Sequence, residues 1–484
     1  MFFMGIDIGT QGVRTIISNE RGHIIAAKSI AFECINISKE EGVYEQNPAT
    51  WWNSLVQSVS FCTSEMKNSG HSLNDLCSIC VDGTSGTILA VDKNGNPLCN
   101  AMMYNDMRAA DEVSIIRSFA GDFESKLGLR FNPSFALPRI LWLKNNKPDI
   151  YESAYKIIHQ TDYIVGRLCG EFGISDYSNS LKTGYDLLSE QWPSFLYELG
   201  IDQEKLPRIV APGQKIAQIS TSISKELGLP SHAIIVAGAT DGYASALAAG
   251  ACRVGDWASI IGTTLVLKGV SDKIVIDPTG ASYSHKLPTG NWLTGGASNV
   301  GGRCLINRFD KNSFSELDTL AEALAPTGVL IYPLTGIGER YPFVDPNASE
   351  FIVGDSSDPI TLYTALMEGV GYTERLAFDL NCEMGLPVGD IIYTSGGACK
   401  SDIWLQIRAS ILGRTLKIPV VVDAAMGTAL IAASNSYFKD LPEAASEMIN
   451  FSKTVEPDPH KTEIYAEHYK NFRKECLKRF DLNR

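Results

Sequence analysis

The sequence lacks the features that mark membrane, secreted and nucleic-acid-binding proteins. It contains no run of about 18 apolar residues, so no membrane-spanning helix is expected. Its first residues reach Asp7 before an apolar signal region could form, so we expect no secretory signal. Its 42 basic residues are outnumbered by 55 acidic ones and the net charge is -13, which argues against a nucleic-acid or acidic-membrane partner.

The cysteines also lack a pattern that would bind a metal or build a disulfide framework. There are 11 of them, scattered along the chain, and this odd number predicts reduced thiols and a cytoplasmic location. Cys77 and Cys80 form an isolated C-x-x-C in an apolar strand pattern. Without a second pair or a nearby histidine, we interpret both as core residues.

What the sequence does contain is the pattern of a large α/β protein. Hydrophobic residues make up 44% and charged residues 20%, which is typical of a globular chain, and 484 residues favour two or three domains. Strand-like patterns alternate with helical ones, such as the apolar face of Trp51–Met66. This order predicts an α/β fold.

The first strand-turn-strand pattern, Met4–Ser18, predicts a hairpin with polar groups at its tip. Gly9–Gly12 forms the turn, with Asp7 just before it, Thr10 within it and Arg14 just after it. Carboxylates suit Mg²⁺, while exposed amides and a guanidinium suit phosphate oxygens. Taken alone, the same residues are also consistent with a plain glycine turn.

A second informative stretch runs from His232 to Gly250. Ala233–Ala237 is a fully apolar strand, followed by a glycine turn and a helix of small residues. Asp241 lies at the junction. It is either an ordinary N-cap or a carboxylate at the carboxyl end of a strand, where α/β sheets place their ligands.

A third stretch, Trp257–Lys268, repeats the order of the first hairpin: strand, Gly262-Thr263 turn, strand. We interpret this as a weak internal repeat in which each of two domains opens on a hairpin. Two such turns imply a ligand between the domains.

A fourth stretch, Asp390–Leu416, contains a glycine turn between a strand and a helix. The turn spans Ser395–Ser401, and the helix from about Asp402 ends at Gly413. A helix N-terminus behind two glycines suits a nucleotide. The spacing differs from that of a P-loop, because no glycine directly precedes Lys400.

Two further segments carry polar side chains. The run D-G-T-S-G-T, Asp82–Thr87, follows an apolar strand. Tyr104–Arg108 is expected to open a helix that runs to about Phe119, with Asp106 as its N-cap.

Together these stretches resemble the FGGY family of carbohydrate kinases, within the sugar kinase, actin and Hsp70 superfamily. The resemblance covers Met4 to about Asn435 and rests on four motifs in order: D-I-G-T-Q-G-V-R from Asp7, A-G-A-T-D-G up to Gly242, I-G-T-T from Ile261, and S-G-G-A-C-K-S-D-I-W-L-Q-I from Ser395. It implies an α/β fold of two ribonuclease H-like domains around a central cleft. The expected domains are a sugar-binding one at 1–243, an ATP-binding one at 244–450, and a helical tail at 451–484.

The resemblance also implies roles for particular residues. Asp241 matches the catalytic base, and Asp7 with Asp241 would hold Mg²⁺ through water. The residues expected at the sugar are Asp7, Gln11, Ser85, Asp106, Arg108 and Asp241. Those expected at ATP and its phosphates are Thr10, Arg14, Gly262, Thr263, Asn299, Gly396, Gly397, Lys400 and Trp404.

Closer features point to a particular sugar. Asp82–Thr87 and the G-G-A-S-N-V-G-G run resemble D-ribulose kinases of the plant and cyanobacterial type, which makes D-ribulose the expected substrate. Gln11 stands where those relatives tend to have serine, and the Tyr104–Arg108 segment resembles xylulokinases, so D-xylulose is the alternative. A sugar acid is disfavoured because its carboxylate would face Asp7 and Asp241 with no dedicated cation nearby, and Arg108 is the one candidate that could overturn this.

A different class of function stays open at this point. The same fold serves ATP-driven conformational switches and binding proteins, because fold does not fix function. Asp241 and Ser85 together favour a kinase. Neither a nucleic acid nor a membrane is an expected partner, and a homodimer is an open alternative to a monomer.

Overall fold

The computed structural model describes residues 1–482. Its strands are β1 Phe2–Ile8, β2 Gly12–Asn19, β3 Ile24–Ala31, β4 Glu45–Gln46, β5 Leu76–Gly83, β6 Ile88–Val91, β7 Ala101–Met102, β8 Lys156–His159, β9 Ile174–Asp176, β10 Arg208–Val210, β11 Lys215–Gln218, β12 Ile234–Val236, β13 Ala239–Thr240, β14 Trp257–Ile261, β15 Leu265–Ser271, β16 Tyr283–Lys286, β17 Trp292–Ser298, β18 Leu330–Tyr332, β19 Phe351–Val353, β20 Ile391–Ser395, β21 Thr415–Pro419 and β22 Phe451–Val455.

The helices alternate with these strands along the chain. They are α1 Pro48–Asn68, α2 Glu112–Leu127, α3 Ala136–Asn146, α4 Pro148–Ser153, α5 Gln160–Cys169, α6 Tyr177–Leu181, α7 Phe195–Glu198, α8 Thr221–Leu227, α9 Asp241–Ala249, α10 Arg303–Ile306, α11 Phe314–Leu324, α12 Pro359–Glu383, α13 Asp402–Leu412, α14 Ala424–Ala433, α15 Leu441–Met448 and α16 Pro459–Arg479. Short 3₁₀ helices cover Leu73–Asp75, Gln203–Lys205, Lys311–Ser313 and Gly397–Lys400. Within residues 1–482, each helix is too short or too polar to span a bilayer.

The chain forms two compact units that interleave along the sequence. Unit 1 consists of Met1–Ala248, His285–Gly290 and Asp423–Asn450, and unit 2 consists of Ala249–Ser284, Asn291–Val422 and Phe451–Arg484. The sequence-based division placed residues 423–450 in the second domain, whereas their contacts group them with unit 1.

Unit 1 is built on a sheet in the order β11-β12-β5-β1-β2-β3, with β13 also pairing with β5. The strands β1 and β2 are antiparallel, so the predicted N-terminal hairpin is confirmed. The strands β1, β12 and β13 run parallel to β5. In this register Asp7 lies beside Asp82, and Asp82 lies beside Ala239, so polar residues gather where these strands end.

The helix α14 covers β1 and β5 at very short range. A Cβ atom added to Gly5 would lie 1.9 Å from the carbonyl oxygen of Ala425 and 2.5 Å from the amide nitrogen of Ala429. Any side chain at residue 5 would therefore force the helix away from the sheet. The apolar residues Met4 and Ile79 in these two strands are fully buried.

Unit 2 repeats this strand arrangement. Its sheet has the order β16-β17-β15-β14-β20-β21-β22. The strands β14 and β15 form an antiparallel hairpin, β17 adds antiparallel to β15, and β20 runs parallel to β14. The internal repeat predicted from the Gly-Thr turns is thus confirmed at the level of strand topology.

A fully buried ion pair lies behind the unit 2 sheet. Arg408 on α13 donates from Nε and Nη2 to the two carboxylate oxygens of Glu374 on α12, both at 2.8 Å. Neither side chain has any exposed surface. The hydroxyl of Ser259 on β14 donates to the same carboxylate and joins the pair to the sheet.

The prediction that a helix opens at Asp106 is wrong. The helix α2 begins at Glu112, and the Asp106 carboxylate instead accepts hydrogen bonds from the backbone amides of Tyr44 and Arg108. The short polar side chain forms a local turn with Arg108 here, a known competitor of helix formation.

Candidate functional site

The tip of the first hairpin is held by backbone hydrogen bonds. The Gly9 amide donates to the Gly12 carbonyl at 3.0 Å, and the Thr10 carbonyl accepts from the Gln46 side chain at 2.8 Å. Arg14 lies on β2 and forms an ion pair with Asp423 at 2.9 Å, while Gln11 is exposed. Thr10 and Gln11 therefore lie in one hydrogen-bonded turn, and Arg14 beside it has an acidic partner of its own.

Beside this turn, two carboxyl groups lie next to each other on neighbouring strands. Asp7 on β1 and Asp82 on β5 are register partners, and each side chain affects the pKa of the other. Burial raises the pKa of Asp7 to about 6, and burial together with the Asp7 charge raises the pKa of Asp82 well above its usual range. The Thr428 hydroxyl on α14 donates to Asp82 Oδ2. Two neighbouring carboxyl groups with raised pKa values favour the state in which one proton is held between them.

Asp241 belongs to the same cluster. It is the first residue of α9 and directly follows β13, whose Thr240 pairs with Gly83 at the end of β5. Burial raises the pKa of Asp241, an effect opposed by the hydrogen bond from the Gly242 amide at 2.6 Å and by the Lys182 ammonium group. The Asp241 charge in turn raises the pKa of Asp7. Asp7 and Asp241, the two aspartates predicted from the sequence, therefore lie close enough to interact electrostatically.

The helix α6 lies beside Asp241 and contributes polar side chains there. The Thr240 amide donates to the Ser178 hydroxyl at 2.9 Å, and the Asn179 amide group donates to Asp176 at 2.6 Å. Asn179 is fully buried, and its carbonyl oxygen has no hydrogen-bond partner within residues 1–482. A buried side-chain acceptor without a partner is costly, which makes this oxygen a candidate acceptor for a hydrogen bond from a ligand hydroxyl.

Sequence reasoning missed Asp82, Asn179 and Lys182. The register between parallel strands brings Asp82 to Asp7, and local sequence carries no direct information about that register. Asn179 and Lys182 lie in or next to the polar segment 174–181, whose unusual polarity was the available signal.

The other expected sugar residues divide into two groups. Ser85 follows β5, and its buried hydroxyl lacks a hydrogen-bond partner among the described residues. This is the state expected of a hydroxyl that binds a ligand. Asp106 is fully buried, and Arg108 donates to it from Nε and Nη2. Arg108 also forms an ion pair with Glu45 at 2.8 Å and stacks over the Trp142 ring. Its charge is therefore already compensated within unit 1.

The carboxylates of unit 1 fit a hydrated Mg²⁺ better than a dehydrated ion. Within residues 1–482, no group of three or more His, Cys, Asp or Glu side chains could enclose a metal. Mg²⁺ is commonly held by one or two carboxylates and keeps several waters, so Asp7 and Asp241 are a sufficient donor set.

Unit 2 contains a cavity of about 820 Å³ that is lined by the predicted nucleotide motifs. Gly262 and Thr263 from the β14–β15 turn lie on it, as do Gly397, Lys400 and Trp404. Trp404 is nearly buried and donates from Nε1 to the Met367 carbonyl at 3.2 Å. The expected second phosphate turn and the glycine turn before α13 thus meet at one cavity.

The glycine turn requires its first glycine. Gly396 has φ of 95°, and a Cβ atom there would lie 2.4 Å from the Ile261 carbonyl oxygen. Its backbone therefore passes directly against the end of β14, which leads into the Gly262-Thr263 turn.

Asn299 does not line this cavity. Its side chain donates to the Gly338 carbonyl at 2.9 Å, and its amide donates to the Glu339 carboxylate at 2.8 Å. Glu339 is buried and also accepts from Ser298 at 2.7 Å. In this structure Asn299 braces the loop that contains Gly338 and Glu339, while its contact with ATP stays a prediction.

Comparisons with known proteins cover nearly the whole chain. Residues 2–248 match the N-terminal domain model of the FGGY family of carbohydrate kinases, and residues 251–436 match its C-terminal domain model. A xylulose kinase of Staphylococcus xylosus is 26% identical, over 96% of this chain and 98% of its own, and a gluconokinase of Bacillus subtilis is 26% identical, over 93% and 90%.

Solved structures show the same fold. The crystal structure of xylulose kinase from Rhodospirillum rubrum superposes with a TM-score of 0.86 at 24% identity and covers 99% of both chains. The α/β fold of two domains with repeated topology is therefore that of sugar kinases. With both family models matched across the chain, the protein belongs to the FGGY family of carbohydrate kinases and is an ATP-dependent sugar kinase.

Proposed function

We propose that this kinase transfers the γ-phosphoryl group of ATP to the terminal hydroxyl of a free ketopentose, with D-ribulose preferred. The observation that carries the proposal is the group of polar side chains at the ends of β5 and β13. It combines the interacting carboxyl groups of Asp7, Asp82 and Asp241 with the unpartnered Ser85 hydroxyl. Carboxylates and hydroxyls each exchange hydrogen bonds with sugar hydroxyls.

Asp241 is the proposed general base. The Gly242 amide provides the one hydrogen bond to its carboxylate found among residues 1–482, which leaves acceptor capacity for a substrate hydroxyl. A kinase needs one side chain that accepts this hydroxyl proton while the phosphoryl group is transferred, and the rest of its work is positioning and charge stabilisation. The Lys182 ammonium group favours the ionised form of Asp241 that the step requires.

Asp7 and Asp82 are proposed to orient the sugar. The proton that they share removes one negative charge from the cluster, so a neutral polyol meets less repulsion between carboxylates than three ionised groups would create. Asp7 with Asp241 would hold a hydrated Mg²⁺, which neutralises charge on the ATP phosphates when it is bound.

The nucleotide is proposed to bind in unit 2. Thr263 and the amides of the Gly397 turn would contact phosphate oxygens, Lys400 would supply positive charge, and Trp404 would flank the adenosine. Thr10 and Arg14 remain proposed phosphate contacts from the first hairpin.

D-xylulose is the second candidate, and the named xylulose kinase relatives favour it. A sugar acid is a third candidate, because the structure supplies a cation that the sequence argument did not foresee. Arg108 is compensated by Asp106 and Glu45, but Lys182 lies within electrostatic range of Asp241. A gluconokinase is among the relatives at 26% identity.

The test is an ADP-release assay over D-ribulose, D-xylulose, gluconate and glycerol, with Gln11→Ser and Lys182→Met as variants. D-ribulose is expected to give the highest kcat/KM, with D-xylulose second, and Gln11→Ser should shift their ratio. Preference for D-xylulose would contradict the ranking. Turnover of gluconate alone, lost in Lys182→Met, would replace the ketopentose by a sugar acid.

A further inference from the structure

One side of the unit 2 cavity is formed by α11 and carries an acidic side chain with a defined orientation. Asp318 on this helix lies on the cavity, and its Oδ1 accepts a hydrogen bond from the Tyr363 hydroxyl at 2.7 Å. Tyr363 is only 1% exposed and packs edge-on against Phe309. The carboxylate is thus anchored to the aromatic cluster beneath it.

The anchor determines which atom of Asp318 is available to a ligand. Burial and the Asp318 carboxylate raise the pKa of Tyr363, so its hydroxyl keeps the proton and acts as the donor. Oδ1 is therefore engaged, and Oδ2 is left as an acceptor. Among residues 1–482, Asp318 takes part in no ion pair, so no cation competes for that acceptor.

The rest of the cavity separates into two kinds of surface. The turn amides and Lys400 form a polar, cationic part suited to phosphates. Leu305, Ile306 and Phe314 form an apolar part suited to a flat ring, and Asp318 lies on the same helix as Phe314. The edge of a purine ring bound on this apolar surface would therefore face a carboxylate oxygen of Asp318.

We propose that Asp318 determines the choice of purine by accepting a hydrogen bond from the 6-amino group of adenine. This inference rests on the proposed binding of ATP in unit 2. A 6-oxo purine would instead direct carbonyl lone pairs at the carboxylate, and the two acceptors would repel each other. A site built to accept a donor rejects an analogue that lacks it, because its polar group is left without a partner.

The Asp318→Asn variant should reverse this polarity. The Tyr363 hydroxyl still needs an acceptor, so the carbonyl oxygen of the new amide stays on Tyr363 and its NH₂ group turns toward the cavity. That group donates to a 6-oxo purine and opposes a 6-amino group. Glu322→Gln is the matched control, since Glu322 lies on the same helix and cavity but is exposed and has no such anchor.

Calorimetric binding of ADP and IDP, which differ at the 6-position of the purine, tests the proposal without requiring sugar turnover. The unaltered protein should bind ADP at least about tenfold more tightly than IDP. Asp318→Asn should lower that ratio by at least about tenfold, and Glu322→Gln should leave it within about twofold. ATP and ITP as phosphoryl donors should show the same order.

The outcomes separate this inference from the proposed function. Equal binding of ADP and IDP by the unaltered protein would overturn it, as would an unchanged ratio in a folded Asp318→Asn variant. Strong ADP preference that depends on Asp318, found in a protein that phosphorylates none of the tested sugars, would support it while contradicting the proposed substrate.

Discussion

Unit 1 places the partly buried Asp7 against the fully buried Asp82, whereas unit 2 buries Glu374 against Arg408. In unit 2 the charges are opposite, the hydrogen bonds are bidentate at 2.8 Å, and Ser259 adds a further donor. In unit 1 the partners are two acids that repel each other when both are ionised, and the pKa values of both carboxyl groups are raised. A buried pair of like groups weakens the fold at neutral pH, while a compensated pair loses stability only when one partner is removed.

This contrast distinguishes a charged pair that stabilises the fold from a pair of carboxyl groups that is proposed to act in function. The Glu374–Arg408 pair lies within the packing between two helices and a strand, with no exposed surface. The carboxyl pair of unit 1 lies where strands end and ligands of α/β folds bind, next to Asp241. Perturbed carboxyl groups grouped in this way are typical of functional sites. The predictions below change one side of the comparison at a time, from the largest expected effect to the smallest.

The largest effect is expected from Glu374→Gln. It removes the charge that compensates Arg408 and should lower the free energy of unfolding by about 3–5 kcal/mol. Chemical denaturation followed by circular dichroism measures this change. Glu350→Gln is the control, because Glu350 pairs with Arg308 in a partly exposed position and should cost at most about 1 kcal/mol. Equal losses in both variants would show that burial of the pair is unimportant.

Asp241→Ala should lower kcat by at least about a hundredfold while the melting temperature changes little. In the unaltered protein, kcat/KM should fall as pH decreases through the raised pKa of Asp241, at a higher pH than an ordinary carboxyl group would give. Steady-state kinetics across pH measures both effects. Near-normal turnover of Asp241→Ala at saturating sugar would remove Asp241 from the mechanism.

Asp82→Asn should stabilise the protein at pH 8 while it impairs activity. Because the folded-state pKa of Asp82 is raised well above its usual range, the native protein binds more protons than the unfolded chain once pH rises above about 4, so stability falls as pH increases from there. The side-chain amide introduced by this substitution is neutral at every pH and can donate to Asp7 without binding a proton. The gain at pH 8 should be on the order of 1–3 kcal/mol, should vanish near pH 4, and is measured by thermal unfolding. A loss of stability at pH 8 would contradict the description of the pair.

The smallest effect is expected from Trp404→Ala on the nucleotide side. It removes part of the cavity wall without touching a charge, and KM for ATP should rise about three- to tenfold while KM for the sugar stays within about twofold. Initial-rate kinetics with each substrate varied in turn measures the difference. A larger rise in the sugar KM would show that the two sites have been assigned in reverse.

Local sequence patterns predicted the elements of this fold better than the contacts between them. The hairpin around Gly9–Gly12 and its counterpart at Gly262-Thr263 follow from hydrophobic period and glycine turns. The helix expected at Asp106 failed because a side chain there bonds to the backbone of Arg108 instead.

The site residues that belong to a local sequence motif could be predicted. The contacts between residues from different strands or helices could not. Asp7, Asp241 and the Gly397 turn lie at strand ends that can be read from the sequence. The partnership of Asp7 with Asp82 depends on strand register, and the link from Asp318 to Tyr363 depends on the packing of α11 against α12. Both contacts join residues that are far apart in the chain.

The position of α14 has a consequence for how this protein emerges from the ribosome. The helix that covers β1 and β5 is translated only after most of unit 2, so one apolar face of the first strands stays uncovered until then. At typical synthesis rates of about 5–20 residues per second, that wait lasts on the order of tens of seconds. Unit 1 therefore cannot be completed as a nascent domain in the order of its sequence. A ribosome that stalls before residue 423 leaves an exposed sheet for chaperones to protect.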